Sequence, residues 1–276
     1  MFELPEYTNL AMQMRGTITK KRIVTASLGN SPHKFVWYNR KPAEFASLAK
    51  GKVVGKAFSK GRWLFVPLEP GYVLVFGECG GKILFHPALS DIPKKYHLSV
   101  IFDDGTALSA TTTMWGAMEL YEKGQELKRK YICDMRPTPV DREFTISYFH
   151  SLIDECIQGE KRSVKGLLTQ DQLIPGLGNS IAQDIMFKAR LHPKHPIDLL
   201  TSIERKRLHK AVTDTVAEVT RLGGRNDEYN LFGQPGGYAR LLDKNVVGKK
   251  CPECNAKIEK MQYLGGTCYY CPTCQT

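Results

Sequence analysis

The residues best suited to chemistry lie near the two ends of the chain and at one turn in its second half. Cys251-x2-Cys254 and Cys271-x2-Cys274, sixteen residues apart, have the spacing of a four-cysteine zinc ribbon, in which two hairpin knuckles present thiolates at the corners of a tetrahedron. Such a site folds a segment too small to have its own core and does no chemistry itself. Cys268 lies in a tyrosine-rich strand outside both knuckles and is expected to stay free. Residues 172–187, QLIPGLGNSIAQDIMF, open a helix with two glycines and an asparagine. Gly176 and Gly178 permit a tight turn and close approach of a bulky partner, while Asn179 sits in the first helical turn, where unpaired N–H groups and the helix dipole favour a phosphate. By itself this stretch is also an ordinary capped helix after a proline turn. Glu3 and Glu6 precede a short amphipathic run, residues 7–15, and two carboxylates so near a terminus prove little.

The elements that must position these groups divide the chain in two. From residue 17 to 109 the sequence breaks into short β-rich pieces, TITKKRIVTASL, KFVWYN, WLFVPL, YVLVFG, KILFH and LSVIF, separated by turn signals such as GNSP, EPG and DDG. This predicts an antiparallel β-sandwich or barrel of roughly 110 to 130 residues. After Thr112 the pattern is helical. Phe149, Leu152, Ile153, Cys156 and Ile157 share one face, residues 164–170 give a short helix, and Thr201 with Glu204 begins a helix carrying Leu208, Val212, Val216 and Val219 on one side. The prolines of residues 134–140 mark the expected domain boundary. Residues 223–237, GGRNDEYNLFGQPGG, are too polar and glycine-rich for a regular element, so this long loop is expected to be mobile, functional or both.

With 276 residues, 42% of them hydrophobic, the chain can bury two cores of ordinary size. The formal charge of +11 and sequence pI near 9.2 favour a polyanionic partner, with anionic membrane surfaces and simple solubility as competing explanations. No apolar run is long enough to cross a bilayer, and acidic residues stand where a secretory signal has basic ones. The expected location is the cytoplasm, in association with the nucleoid if the source is bacterial. Cysteines paired as C-x-x-C in an intracellular chain indicate zinc ligation rather than disulfides.

Together, the xELPE terminus, the β-rich first half, PGLGN opening a helix, FKARLHP at residues 187–193 and GGTCYYCPTCQ at residues 265–275 resemble the formamidopyrimidine-DNA glycosylase/endonuclease VIII family. The resemblance implies an α+β protein: an N-terminal β-sandwich at residues 1–134, a helix-two-turn-helix domain at 135–244 and a zinc finger at 245–276 with one structural zinc. It implies a monomer that holds duplex DNA in a cleft, flips out a damaged, typically oxidised, base and acts in base excision repair as a glycosylase and abasic-site lyase. An N-terminal amine attacks the sugar C1′ and releases the base through a Schiff base, and elimination then cuts the strand. An α-amine, with an ordinary pKa near 8, suits this better than a lysine.

By the same resemblance, Glu3 matches the proton-transferring glutamate, Glu6 the second N-terminal acid, Asn179 the phosphate-binding asparagine, and Cys251, Cys254, Cys271 and Cys274 the zinc ligands. Other positions depart. Phe2 stands in place of the terminal proline; a bulky second residue usually prevents methionine removal, leaving the Met1 amine as the nucleophile, or that of Phe2 if processing occurs. Arg62 replaces a phosphate-contacting lysine and keeps its charge. Glu78 replaces the methionine that fills the vacated base stack, and Gly266 the arginine of the finger. Thr113, Met114 and Trp115 stand where arginine and phenylalanine contact the orphaned strand, and Met114 and Trp115 can supply an insertion wedge. A retained Met1 moves the attacking nitrogen one residue further from Glu3, so weak activity is expected. The alternatives are a paralogue that binds damaged or distorted DNA without excising bases, and a zinc-ribbon protein for RNA or protein, which leaves ELPE unexplained.

Overall fold

The computed structural model describes residues 1–31 and 34–276, so the last residue of the GNSP turn signal, Pro32, lies outside the described residues. The chain folds as two compact units: residues 1–134 with 220–238, and residues 135–219 with 239–276.

The first unit begins with helix α1 (Leu4–Thr17), three residues earlier than the apolar run indicates. The carboxylate of Glu6 accepts the backbone N–H of Glu3 at 2.8 Å, which draws the ELPE segment into the first helical turn. Tyr7, Leu10, Ala11 and Met14 then fall on one buried stripe. Strands β1 (Ile23–Leu28) and β2 (Val36–Trp37) follow, then a helix that the β-rich reading passes over, α2 (Pro42–Ala49). Pro42 pre-sets its first turn, and Phe45 and Ala49, four residues apart, are its buried positions. The remaining strands are β3 (Val53–Val54), β4 (Phe58–Lys60), β5 (Trp63–Glu69), β6 (Tyr72–Gly77), β7 (Gly81–His86), β8 (Leu98–Phe102), β9 (Ala107–Thr112) and β10 (Gly116–Glu122).

They form two sheets, one ordered β1-β8-β9-β7 and the other β2-β10-β6-β5-β3, with β4 on β5. Among the described residues the pairings within these two sheets are antiparallel, except that of the two-residue β2 with β10. The core joins Leu64, Val66, Leu74 and Phe76 of one sheet, Leu98, Val100 and Leu108 of the other, and the buried stripe of α1. Leu231, from the glycine-rich loop, belongs to this same core, which anchors that loop against the sandwich.

The second unit holds α3 (Ile146–Ile157), α4 (Val164–Thr169), α5 (Asn179–Lys188), most of α6 (Ser202–Arg221) and a terminal hairpin, β11 (Glu259–Tyr263) with β12 (Gly266–Tyr270). The hydroxyls of Thr145 and Ser163 cap α3 and α4. Thr201 and Glu204 exchange reciprocal hydrogen bonds at the start of α6, as their spacing predicts, and Leu208, Val212, Val216 and Val219 are all buried. Among the described residues no helix is long and apolar enough to cross a membrane.

Candidate active site

The first turn of α1 turns both N-terminal acids inward, leaving Glu3 and Glu6 each 4% exposed. Phe2 is wholly buried, edge-on to Tyr7 at 5.6 Å between ring centroids, and its N–H donates to the Cys79 carbonyl at 2.9 Å. The Tyr7 hydroxyl accepts the Cys79 N–H at 2.9 Å. Burial pushes the Tyr7 phenol well above its ordinary range and the Cys79 thiol up to about 12, so this wall stays neutral. With residue 2 anchored, residue 1 emerges at the surface of the core. Its amine donates to Glu228 Oε1 at 2.6 Å. Burial raises the Glu228 carboxyl above its ordinary value, outweighing the downward pull of the amine and of Arg225.

Arg225 ties these groups together. Its side chain is 1% exposed; Nε and Nη2 each lie 3.0 Å from the Glu6 carboxylate, and Nη2 donates to the Met1 carbonyl at 2.7 Å. Glu3 Oε1 stands 3.7 Å from Nη1 and Glu228 Oε1 3.5 Å from Nη2. Burial disfavours the charged guanidinium, but the carboxylates of Glu6, Glu3 and Glu228 prevail and hold its pKa above the ordinary arginine value. The loop reaches this position by packing backbone on backbone. Gly224 has φ +103°, and a Cβ on Gly236 would lie 2.1 Å from the Gly224 carbonyl oxygen.

Outside the amine opens a cavity of about 290 Å³, lined by Met1 and Glu228 with Gly80, Gly81, Lys82, Thr111, Thr113, Met114, Asp227 and Tyr229. The Lys82 ammonium sits 4.0 Å from the centre of the Tyr229 ring. At the turn between β9 and β10, Met114 is 55% exposed and Trp115 40% exposed. Trp115 stacks on Trp37 at 5.0 Å with 11° between the planes and meets Phe35 at 4.6 Å, so it is fixed in an aromatic stack while Met114 borders the cavity. Arg62 Nη1 lies 3.5 Å from Glu78 Oε2; two positions that depart from the family pattern thus form one ion pair. Glu78 itself holds a left-handed backbone, φ 53°.

In the second unit Gly176, at φ +92°, makes the turn before α5, Gly178 is the N-cap, and the Asn179 side chain is exposed at the first helical position. The β11-β12 hairpin docks on this helix. Gln183 donates to the Thr267 carbonyl at 3.1 Å and accepts from the Tyr269 N–H at 2.6 Å, and a Cβ on Gly266 would lie 3.3 Å from Asn179 Nδ2. Asp184, fully buried on the same helix, accepts the N–H groups of Leu241 and Leu242, each at 2.9 Å.

The sulfurs of Cys251, Cys254, Cys271 and Cys274 all lie within 4.8 Å of one another; two of the separations are 3.8 and 3.5 Å. A tetrahedron with metal–sulfur bonds of about 2.3 Å has edges of about 3.8 Å, so these four thiolates can hold one metal ion. Cys268, opposite Met261 in the hairpin, is buried and outside the set.

A family model for the formamidopyrimidine-DNA glycosylase N-terminal domain matches residues 1–113, and one for the formamidopyrimidine-DNA glycosylase H2TH domain matches residues 135–228. The chain belongs to the formamidopyrimidine-DNA glycosylase family. A formamidopyrimidine-DNA glycosylase of Bacillus cereus is 30% identical over 281 residues, covering 100% of this chain and 99% of the relative. That of Bacillus licheniformis is 28% identical with the same coverage. In fold, the chain is similar to the Lactococcus lactis Fpg in complex with abasic-site DNA, with TM-score 0.84, 23% identity and 99% coverage of each chain. It is likewise similar to the MutM (Fpg) protein of Thermus thermophilus, with TM-score 0.81, 24% identity and coverage of 99% and 98%.

Within this family member the structure brings Met1, Glu3 and Glu6 together around Arg225, sets Met114 beside the same cavity, and puts Phe2 in the core. Arg225 and Glu228 are not legible as site residues in the sequence. They lie more than two hundred residues from the terminus they hold, and only the composition of residues 223–237 marks that loop as more than a connector.

Proposed function

We propose that this protein is a base excision repair enzyme that removes damaged, oxidised bases from duplex DNA and cleaves abasic sites through a Schiff base on the Met1 amine. The observation that carries this reading is the Met1 nitrogen, held 2.6 Å from the buried carboxylate of Glu228 at the wall of a cavity of about 290 Å³. A primary amine at such a cavity can attack an aldehyde or an anomeric carbon, and a neighbouring carboxylate can carry the proton. Glu3 is the proposed proton-transferring acid of base excision, and Glu6 fixes Arg225. Arg62, Met114, Trp115 and Asn179 are the proposed DNA contacts: Arg62 and Asn179 to phosphate, Met114 as the wedge, Trp115 as its aromatic support. Zinc suits the four thiolates, which leave no open position for a catalytic water, so the ion would be structural. The bound species is a duplex with a damaged base or abasic site, bound by a monomer in the cytoplasm. The working division is a sandwich at residues 1–134, a helix-two-turn-helix domain at 135–244 and a finger at 245–276.

Borohydride trapping on a duplex oligonucleotide with one abasic site tests this reading. A covalent protein–DNA adduct supports it, and tight binding without an adduct contradicts it. That second outcome would fit a lesion-binding paralogue, a reading favoured by the 3.7 Å approach of Arg225 to Glu3, which engages the proton-transferring acid in an ion pair.

A further inference from the structure

The glycine-rich loop brings a charge pair to the N-terminus that the family's N-terminal motif does not contain. We propose that Glu228 is a catalytic residue of this enzyme, the carboxylate that takes the proton from the Met1 amine, and that Arg225 is the positioning residue that aims both. The proposal rests on the glycosylase/lyase reading above and names the base for its nucleophile.

Three observations carry it. Glu228 Oε1 is 2.6 Å from the Met1 nitrogen, within direct proton-transfer distance. Met1 and Glu228 are both lining residues of the same cavity, which places residue 1 beside the space a bound sugar would occupy. Arg225 grips the Met1 carbonyl at 2.7 Å while binding Glu6 through two nitrogens, which fixes residue 1 by its carbonyl. Phe2 completes the anchorage: its side chain is in the core and its N–H is committed to Cys79, so the residue that projects into the cavity is Met1. Glu3, only 5% exposed in its side chain, pairs with Arg225 Nη1 at 3.7 Å. Glu228 is thus the carboxylate in direct hydrogen-bond contact with the amine.

On an abasic site the step balances without a further reagent. The Met1 ammonium passes one proton to the Glu228 carboxylate, and the freed lone pair attacks the C1′ aldehyde. The carbonyl π pair moves to oxygen, which takes the proton back from Glu228. Loss of the hydroxyl with a second proton from nitrogen then gives water. Ammonium and aldehyde become a protonated Schiff base and water, and Glu228 ends as the carboxylate it began. The groups facing Glu228 are the Met1 amine, Arg225 and Glu6 from within the ion cluster, with Asp227, Tyr229 and Lys82 at the cavity. Burial lifts the Glu228 carboxyl above the ordinary glutamate range, so the acid limb of the rate should lie at a higher pH than an ordinary glutamate would place it.

The test is single-turnover borohydride trapping on an abasic-site duplex for the full-length natural chain, Glu228→Gln and Glu228→Asp. Affinity is measured in parallel on a duplex carrying an aldehyde-free abasic analogue. The expected result is a rate loss of about 100-fold or more in Glu228→Gln, with affinity changed less than about threefold, an acid limb displaced because the ammonium must then lose its proton to solvent, and partial recovery in Glu228→Asp. Should Glu228→Gln fail to fold, as a thermal melt would show, the rate and acid limb of Glu228→Asp decide instead. Trapping at the natural rate in Glu228→Gln, or an unchanged acid limb in the folded variant, overturns the role of Glu228 and leaves the lyase reading intact. Binding without trapping by the natural chain overturns both.

Discussion

Phe2 has both its side chain and its backbone nitrogen committed to the fold, which changes what a substitution there can achieve. A proline at this position would favour methionine removal, but it would also delete the N–H bonded to Cys79 and empty a fully buried aromatic site. Large-to-small changes at buried phenylalanines cost about 3–5 kcal/mol. Phe2→Pro is therefore expected to lower the melting temperature by about ten degrees or more, on the order of a few degrees per kcal/mol. A variant of natural stability with raised trapping yield would contradict the core role of Phe2. Arg225→Met removes the guanidinium that pairs with the buried acids Glu3, Glu6 and Glu228. Breaking such a pair costs about 3–5 kcal/mol at neutral pH. Arg225 pulls the Glu228 carboxyl downward, so without the guanidinium Glu228 is harder to ionise and the deficit should shrink as pH falls and it takes up a proton. Denaturant unfolding of both proteins at pH 5 and pH 7.5 checks the sign; a deficit that grows toward pH 5 would refute it.

Among the elements, α5 does the most positioning. Its first residue exposes Asn179, its middle residues Gln183 and Asp184 hold the finger hairpin and residues 241–242, and its start faces Gly266. Asn179→Ala should weaken binding to all duplex sequences alike, because a phosphate contact positions the DNA without reading its bases. Equal affinity in a fluorescence titration would remove Asn179 from the interface. Gly266→Arg should do the opposite. Gly266 lies in a strand, so an L-residue meets no backbone penalty; its Cβ would press on the Asn179 side chain at 3.3 Å, which must give by a few tenths of an ångström, and a charge-assisted phosphate contact is worth about 1.5–3 kcal/mol, roughly a ten- to hundredfold gain in affinity. An unchanged dissociation constant would show that the finger does not approach the DNA backbone at this residue.

The elements are legible in the sequence where one physical signal dominates. The capping pair at Thr201 and Glu204, the apolar stripe of α6 and the PGLGN turn each follow from local sequence, and each is found. Helix α2 escapes such a reading because eight residues between strands give too short a stripe, and the early start of α1 does so because Glu6 reaches back to Glu3. At the candidate site, Glu3, Glu6 and the four cysteines are recognisable from motifs. Arg225 and Glu228 are not, since their meaning depends on chain segments brought together only by folding.

For the molecule as a whole, the net charge and the four-cysteine cluster carry the remaining predictions. A chain of net charge +11 that grips a duplex should lose affinity with salt at a log–log slope of about −0.9 per phosphate neutralised. A flat salt dependence would exclude backbone binding as the main source of affinity. Removing the metal with a chelator should unfold residues 245–276, where the small cluster of Phe187, Leu242, Cys251, Ile258 and Cys271 offers little apolar burial, and should abolish DNA binding. Metal analysis should find one zinc per chain. The central claim is that Schiff-base chemistry runs through the α-nitrogen of a retained methionine. Its most direct test is to trap the natural protein on an abasic-site duplex with borohydride, digest the adduct and locate the modified residue by mass spectrometry. The expected result is one adduct on the α-nitrogen of Met1; an adduct on Lys82 or on Phe2 after loss of Met1, or no adduct at all, would contradict it.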